Sequence, residues 1–253
     1  MPIMKGSEIA AVAPDSNNQD NCGIANCPVQ STGPVHGQPA TPESHQGEQF
    51  VYHVLCTDTA RPLQAASVAG ALEAATRESP GALSALCGAW TTEFGAVDQV
   101  VSLWRATVPF EPASHDDRLF SPPLDCPERL DHRVSELLTC VFPGLERAEG
   151  HAFYDFRRYT LRPGTRGQFL EFMAAALPVR RQHSHNVGVW VPVTGNPDQI
   201  IHVWAYRDLA HRNQARAGAW AEPAWQEYLR KIEPLLLRMR TDMLAPLGFS
   251  PLR

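Results

Sequence analysis

Gly188-Val-Trp-Val-Pro-Val-Thr-Gly-Asn-Pro-Asp-Gln-Ile-Ile-His-Val-Trp-Ala-Tyr206 reads as two strands joined by a tight turn. Val189 to Val193 is rich in β-branched and aromatic residues, and Gln199 to Tyr206 alternates such residues in the same way, as strands do. Between them, Thr194-Gly-Asn-Pro-Asp198 offers a glycine able to take positive φ and a proline that fixes it. This pattern predicts a β-hairpin.

The pattern occurs twice. Gly88-Ala-Trp-Thr-Thr-Glu-Phe-Gly-Ala-Val-Asp-Gln-Val-Val-Ser-Leu-Trp104 aligns with Gly188 to Trp204 at a constant offset of 100. Six of the seventeen positions are identical: Gly88/Gly188, Trp90/Trp190, Gly95/Gly195, Asp98/Asp198, Gln99/Gln199 and Trp104/Trp204. An internal repeat of this length implies two similar units packed on one another.

Composition sets the frame. A chain of 253 residues holds one large or two small domains. Residues 1–49 carry one basic group (Lys5) and five acidic ones, which places −4 of the formal −5 charge there. The near-neutral remainder gives no electrostatic reason to expect nucleic acid or an anionic membrane as partner. The six cysteines (22, 27, 56, 87, 126 and 140) form no C-x-x-C pair, as expected for a reduced chain. No apolar run approaches the ~20 residues of a membrane span. The start lacks a basic-then-apolar leader, so a soluble, cytoplasmic protein is expected.

Along the chain, residues 1–49 are too polar and too rich in proline and glycine to bury a core, and are expected to be a disordered tail. Residues 50–145 read as strand (Phe50–Cys56), alanine-rich helix (Leu63–Arg77), hairpin, proline-rich loop, short helix (Glu128–Glu136) and strand (Leu137–Phe142). Residues 150–253 repeat this more clearly. Phe153–Leu161 is a strand, and Thr165–Leu177 a helix with Phe169, Phe172, Met173 and Ala176 on one face. The hairpin follows. Leu209–Ala219 is a basic-faced helix, and Trp225, Tyr228, Leu229 and Ile232 mark another. A strand near Met239–Leu244 ends the unit. The expected fold class is α+β: two ferredoxin-like βαββαβ units packed sheet to sheet as an intrachain barrel with the helices outside.

Alternation sorts the side chains of the second unit into two faces. Asp155, Arg157 and Tyr159 share one face of the first strand; His202, Trp204 and Tyr206 share one face of the hairpin's second strand. The opposite face, Ile201, Val203 and Ala205, is expected to pack on helices, which would leave the polar-aromatic set lining the space between the sheets. There, His202, Arg157 and Asp155 are candidate catalytic groups, and Tyr159, Trp190, Trp204 and Tyr206 candidate ligand contacts. A second reading stays open: Asp155 and Arg157 pair with each other or with His202 as a buried network. The first unit lacks this equipment, with Ser102 in place of His202. His183-Ser-His185 reads as a turn rather than a metal site, and Arg212 with Arg216 as a solvated basic face. No metal or nucleotide motif is present, and no dissociable cofactor is expected.

Tyr154-Asp-Phe-Arg-Arg-Tyr-Thr-Leu-Arg-Pro-Gly164, Gly188-Val-Trp190, Asp198-Gln-Ile-Ile-His-Val-Trp-Ala-Tyr206 and Pro223-Ala-Trp225 resemble the NIPSNAP family of the dimeric α+β barrel superfamily. The resemblance covers about residues 152–252; residues 50–145 match more faintly, mainly through Gly88-Ala-Trp90 and Asp98 to Trp104. It implies a ferredoxin-like unit that pairs sheet to sheet, and relatives that include cofactor-free monooxygenases, isomerases and cyclases. Two functional expectations follow. One is a barrel that binds a small organic molecule, as in a cofactor-independent tailoring enzyme of specialised metabolism. The other is a non-catalytic interaction or stress-response protein whose barrel is filled by its own side chains. A second copy of the chain, forming a homodimer, is a further partner to consider. An open lumen favours the first expectation and a packed lumen the second.

Overall fold

The computed structural model describes residues 52–78, 86–105, 124–130, 134–144, 147 and 149–253. The tail expected over residues 1–49, with Cys22 and Cys27, lies outside the described residues. The elements are β1 (Tyr52–Thr59), α1 (Ala65–Glu78), β2 (Leu86–Phe94), β3 (Gln99–Arg105), β4 (Val134–Pro143), β5 (Phe153–Leu161), α2 (Arg166–Arg181), β6 (His185–Pro192), β7 (Gln199–Tyr206), α3 (Leu209–Ala221), α4 (Pro223–Ile232) and β8 (Leu236–Pro246).

The eight strands close into one antiparallel barrel in the order β1-β3-β2-β8-β5-β7-β6-β4. Each half contributes four consecutive strands of this ring with the same internal order, and the halves join edge to edge at β2–β8 and β4–β6. Closure leaves no sheet edge to be covered along these seams.

The matching local chemistry extends beyond the hairpins. Gly95 and Gly195 both take positive φ, at 123° and 85°. Asp98 accepts from the Leu63 amide and Asp198 from the Gly164 amide, and Leu63 and Gly164 themselves sit at φ of 66° and 80°. The Trp104 indole donates to Ser102 (2.9 Å) and the Trp204 indole to His202 (2.8 Å). At Gly88 and Gly188 a Cβ would lie 2.2 and 2.5 Å from the rings of Trp90 and Trp190 respectively. The Gly-x-Trp spacing therefore lets each indole fold flat over the glycine two residues before it on the same strand face.

Three expectations need correction. The helix expected over Glu128–Glu136 is absent from its described residues: Pro127 and Glu128 form a turn, Arg129 bridges to Ala60, and β4 already begins at Val134. The helix expected to stop at Leu177 runs on to Arg181 with Pro178 inside it. The third correction matters most, because the two faces are reversed. Ile201, Val203 and Ala205 join Leu55, Trp90, Leu138, Tyr154, Phe156 and Trp190 in a core drawn from both halves, which is the barrel lumen. His202's strand face, with Trp204, Tyr206 and Tyr159, packs with Phe169, Met173, Ala215 and Tyr228 under the helices.

An eight-stranded barrel is just wide enough for side chains to fill. Here the waist is packed: Leu55, Trp90, Leu138, Tyr154 and Ile201 are all fully buried. Space remains at the two ends. At one, beside Trp190 and Leu252, lies a cavity of about 200 Å³. At the other, about 300 Å³ is bordered by the ion pairs Glu136–Arg158 (2.8 Å) and Arg240–Asp242 (2.9 Å).

Candidate functional site

Most of the residues singled out from the sequence do come together, but outside the barrel. Arg157 and Tyr159 on β5 and His202 and Trp204 on β7 project outward beneath α2, α3 and α4. With Arg180 (α2), Arg216 and Trp220 (α3), and Trp225 and Tyr228 (α4), they line a cavity of about 160 Å³. Trp220 and Met239, both more than half exposed, form its rim. Tyr206 lies on the same face without lining the cavity: its hydroxyl accepts from Arg180 at 3.0 Å. Trp190 is the exception, since it points into the lumen.

Asp155 is fully buried and spoken for. Its Oδ2 accepts from Arg157 at 3.0 Å and its Oδ1 from Arg212 at 2.7 Å. The buried-pair reading of Asp155 and Arg157 is therefore the one observed. Arg212 also departs from the solvated-face expectation, because it reaches under the helix to this carboxylate. Arg157 donates in addition to the Tyr159 hydroxyl at 3.1 Å. Burial opposes the Arg157 charge, but Tyr159 and Asp155 more than offset it and its pKa is raised.

His202 is held neutral. Burial first, then the positive charges of Arg157 and Arg180, push its pKa well below the usual histidine value. Its Nδ1 accepts from the Trp204 indole at 2.8 Å, so the ring proton resides on Nε2. Among the described residues that Nε2 is buried without a partner. The Nε of Arg157 is likewise buried without a partner among them.

The other arginines complete the set. Arg180 stacks over the Trp204 ring at 4.5 Å and also donates to Ser184. Its pKa is lowered, by burial first, with Tyr206 pulling the other way. Arg216 has its pKa lowered by burial and by the neighbouring charges of Arg157 and Arg212, and makes no ion pair among the described residues. Two guanidinium groups thus pair with one carboxylate, and two more, Arg180 and Arg216, stand nearby without a carboxylate of their own among the described residues. Every polar atom without a partner here is an N–H donor. The arrangement can hold an anion or a strong acceptor, and it offers no vacant base.

Sequence reasoning missed Arg180, Arg216 and the part played by Trp225 and Tyr228. Arg180 was detectable. It falls on the same helix stripe as Phe169, Met173 and Ala176, so a guanidinium lies on the buried face of an amphipathic helix. In the first half the corresponding space under α1 is closed by Leu124, Cys126, Leu247 and Phe249. Among the described residues no group of three His, Cys, Asp or Glu is placed to hold a metal, and no helix is long and apolar enough to cross a membrane.

Comparison with known proteins agrees with this architecture. The NIPSNAP family model matches residues 154–251. Human "Protein NipSnap homolog 2" is 30% identical over 177 residues, covering 66% of this chain and 62% of that protein. "Protein NipSnap" of Drosophila melanogaster is 28% identical over 175 residues, covering 66% and 64%. The chain therefore spans less than two thirds of the length of these relatives. A crystal structure named "putative monooxygenase", from Lactobacillus acidophilus, has a TM-score of 0.56 at 9% identity and covers 78% of this chain and 94% of its own. At that identity it shows the fold alone, a ferredoxin-like α+β barrel. Residues 154–251, from the lumen-facing Tyr154 through α2–α4 to β8, are a NIPSNAP-family domain and carry the donor-lined cavity.

Proposed function

We propose that this protein binds a small organic anion in the cavity between the second half's sheet and its helices. The carrying observation is the one-sided inventory of the cavity: the unpartnered His202 Nε2 and Arg157 Nε, with Arg180 and Arg216, are all donors. A carboxylate or phosphate would relieve the mutual repulsion of the arginines and satisfy both buried N–H groups. The rings of Trp204, Trp225 and Tyr228 give its body an apolar, planar seat. A volume of about 160 Å³ suits a single ring with one acidic substituent.

If the bound molecule reacts, the site acts through anion stabilisation. His202 is a donor through Nε2, and both oxygens of Asp155 are occupied by arginines. Enolate or carboxylate stabilisation by Arg157 is the chemistry that a cofactor-independent isomerase, cyclase or monooxygenase would use here. The first half, with its filled counterpart, supplies the other wall of the barrel. Its Gly-x-Trp, Asp and indole contacts support an origin by tandem duplication. Unbridged Cys126 and Cys140 support a reducing, cytoplasmic setting.

Titration calorimetry with benzoate and phenyl phosphate tests the proposal. Binding is expected in the wild type, with Arg157→Met and Arg216→Met each weakening it by about tenfold or more. Benzyl alcohol is expected to bind far less tightly. Equal affinity in the wild type and both variants would remove the site. The packed waist of the barrel favours the non-catalytic reading in one respect, because it leaves no reaction chamber at the centre of the lumen. Absence of any anion binding would leave that reading in possession.

A further inference from the structure

The mouth of the barrel beside Trp190 contains a second buried donor that the anion site does not use. Trp190 is 3% exposed, and its indole Nε1 has no partner among the described residues. Its ring is pinned from two sides, over Gly188 and against the edge of His53 at 5.8 Å. It lines the cavity of about 200 Å³ at this end of the lumen.

The other walls are Leu103, Val187, Leu252, Cys87 and Cys140, with Arg105 at the strand end. Burial pushes the Cys140 thiol up to about 11, so this thiol is protonated at neutral pH. The lining thus combines an aliphatic and thiol surface with one fixed N–H donor, the His53 ring and the Arg105 guanidinium. It contrasts with the arginine-rich cavity on the far side of the sheet.

We infer that the lumen mouth is a second ligand site, taking an uncharged single-ring or short-chain molecule that carries one hydrogen-bond acceptor, such as an aryl ketone. A buried N–H left without a partner loses its bond to water and gains nothing in return. A carbonyl oxygen would restore that bond while its hydrocarbon part covers Leu103, Val187 and Leu252. Size is consistent, since an apolar cavity of about 150 Å³ already accommodates benzene. A cation is disfavoured, because the walls here would strip its hydration and Arg105 would repel it. The site does not depend on the anion reading, as no residue lines both cavities.

The experiment follows the tryptophan indole N–H signals by NMR during titration of the full chain with acetophenone, and in parallel with ethylbenzene, which has the same ring but no acceptor. The Trp190 signal is identified by its loss in Trp190→Phe, a change that keeps an aromatic ring over Gly188. Acetophenone is expected to move the Trp190 signal downfield and to bind Trp190→Phe about three- to tenfold more weakly than wild type. Ethylbenzene is expected to bind both proteins alike. A second variant, Leu103→Phe, fills the cavity without touching the donor and should abolish binding of both compounds. The inference is overturned if acetophenone leaves the Trp190 signal in place at saturating concentration, or if Trp190→Phe binds it as tightly as wild type. Benzoate binding, read in the same samples, reports on the other cavity and separates the fate of the two sites.

Discussion

Asp155 carries two arginines on one fully buried carboxylate, so removing its charge leaves both cations without their counterion. Asp155→Asn keeps the shape and one acceptor, yet it should cost about 3 kcal/mol of stability, because breaking a buried pair costs far more than the pair contributes. Urea denaturation would show this as a lowered midpoint at unchanged slope; a loss within a few tenths of a kcal/mol would mean that solvent reaches the cluster. His202 makes a prediction of opposite character. Its folded pKa is depressed by burial and by Arg157 and Arg180, so between that value and about 6.5 the unfolded chain binds a proton that the folded chain refuses. The contribution of His202 is therefore complete above pH 6.5 and is lost as pH falls below it, by at most about 1.4 kcal/mol per pH unit. His151 is depressed in the same direction, by burial and then by His185, so the whole slope will not vanish with His202. His202→Asn, which keeps an acceptor for the Trp204 indole, should have a shallower loss of stability from pH 6.5 to 5 than wild type. Parallel curves for the two proteins would contradict a buried neutral imidazole.

At the scale of elements, the two Gly-x-Trp strands invite direct comparison. A methyl at Gly88 must displace the ring of Trp90, which is fully enclosed at the barrel waist. A methyl at Gly188 must displace Trp190, which borders open space. Overpacking costs about 1–3 kcal/mol, and less where the neighbour can yield. Gly88→Ala should therefore destabilise more than Gly188→Ala in thermal melts; the reverse order would mean that the lumen mouth is tighter than its volume suggests. These strands also show what alternation can and cannot decide. It correctly grouped His202 with Trp204 and Tyr206, and Asp155 with Arg157 and Tyr159, because side chains two apart must share a face. It could not say which face was the lumen. In a closed barrel wrapped by helices both faces are buried, and Ile201 and Val203 are as hidden as His202 and Trp204. Polarity then ceases to mark inside from outside. What distinguishes the faces is hydrogen bonding: donors and acceptors were matched by side chains from the helices, and Arg180 and Arg212 come from helices whose charges had been assigned to the end of the pattern or to solvent. The hairpin turns were the most legible feature, since Gly195 and Asp198 act within a few residues of one another.

For the molecule as a whole, the decisive interactions are the seams. β2–β8 and β4–β6 hydrogen-bond one half to the other, and the lumen core draws Leu55, Trp90, Val101, Leu103 and Leu138 from the first half against Tyr154, Phe156, Ile201 and Val203 from the second. Neither half can bury this face alone. The sequence signalled two similar units closing one intrachain barrel; the register across the seams was not legible, because it depends on partners far apart in the chain, such as Trp90 opposite Pro246 and Leu138 opposite Pro192. A fragment comprising residues 150–253 would carry β5–β8 with both outer edges unpaired and the faces of Tyr154, Phe156, Ile201 and Val203 uncovered. Exposed edges and apolar faces of this kind drive association. Because the two halves share one strand order, a second copy of the fragment presents the edges and face that the first half supplies in the intact chain. The fragment is therefore expected to form a homodimer by sedimentation equilibrium, with β6 and β8 of each copy at the new seams, and to unfold at a midpoint that rises with protein concentration. The intact chain should unfold at a midpoint independent of concentration. A fragment that stays monomeric while retaining native circular dichroism would show that the second half shields its own lumen face, and that the two seams are not what holds the barrel together.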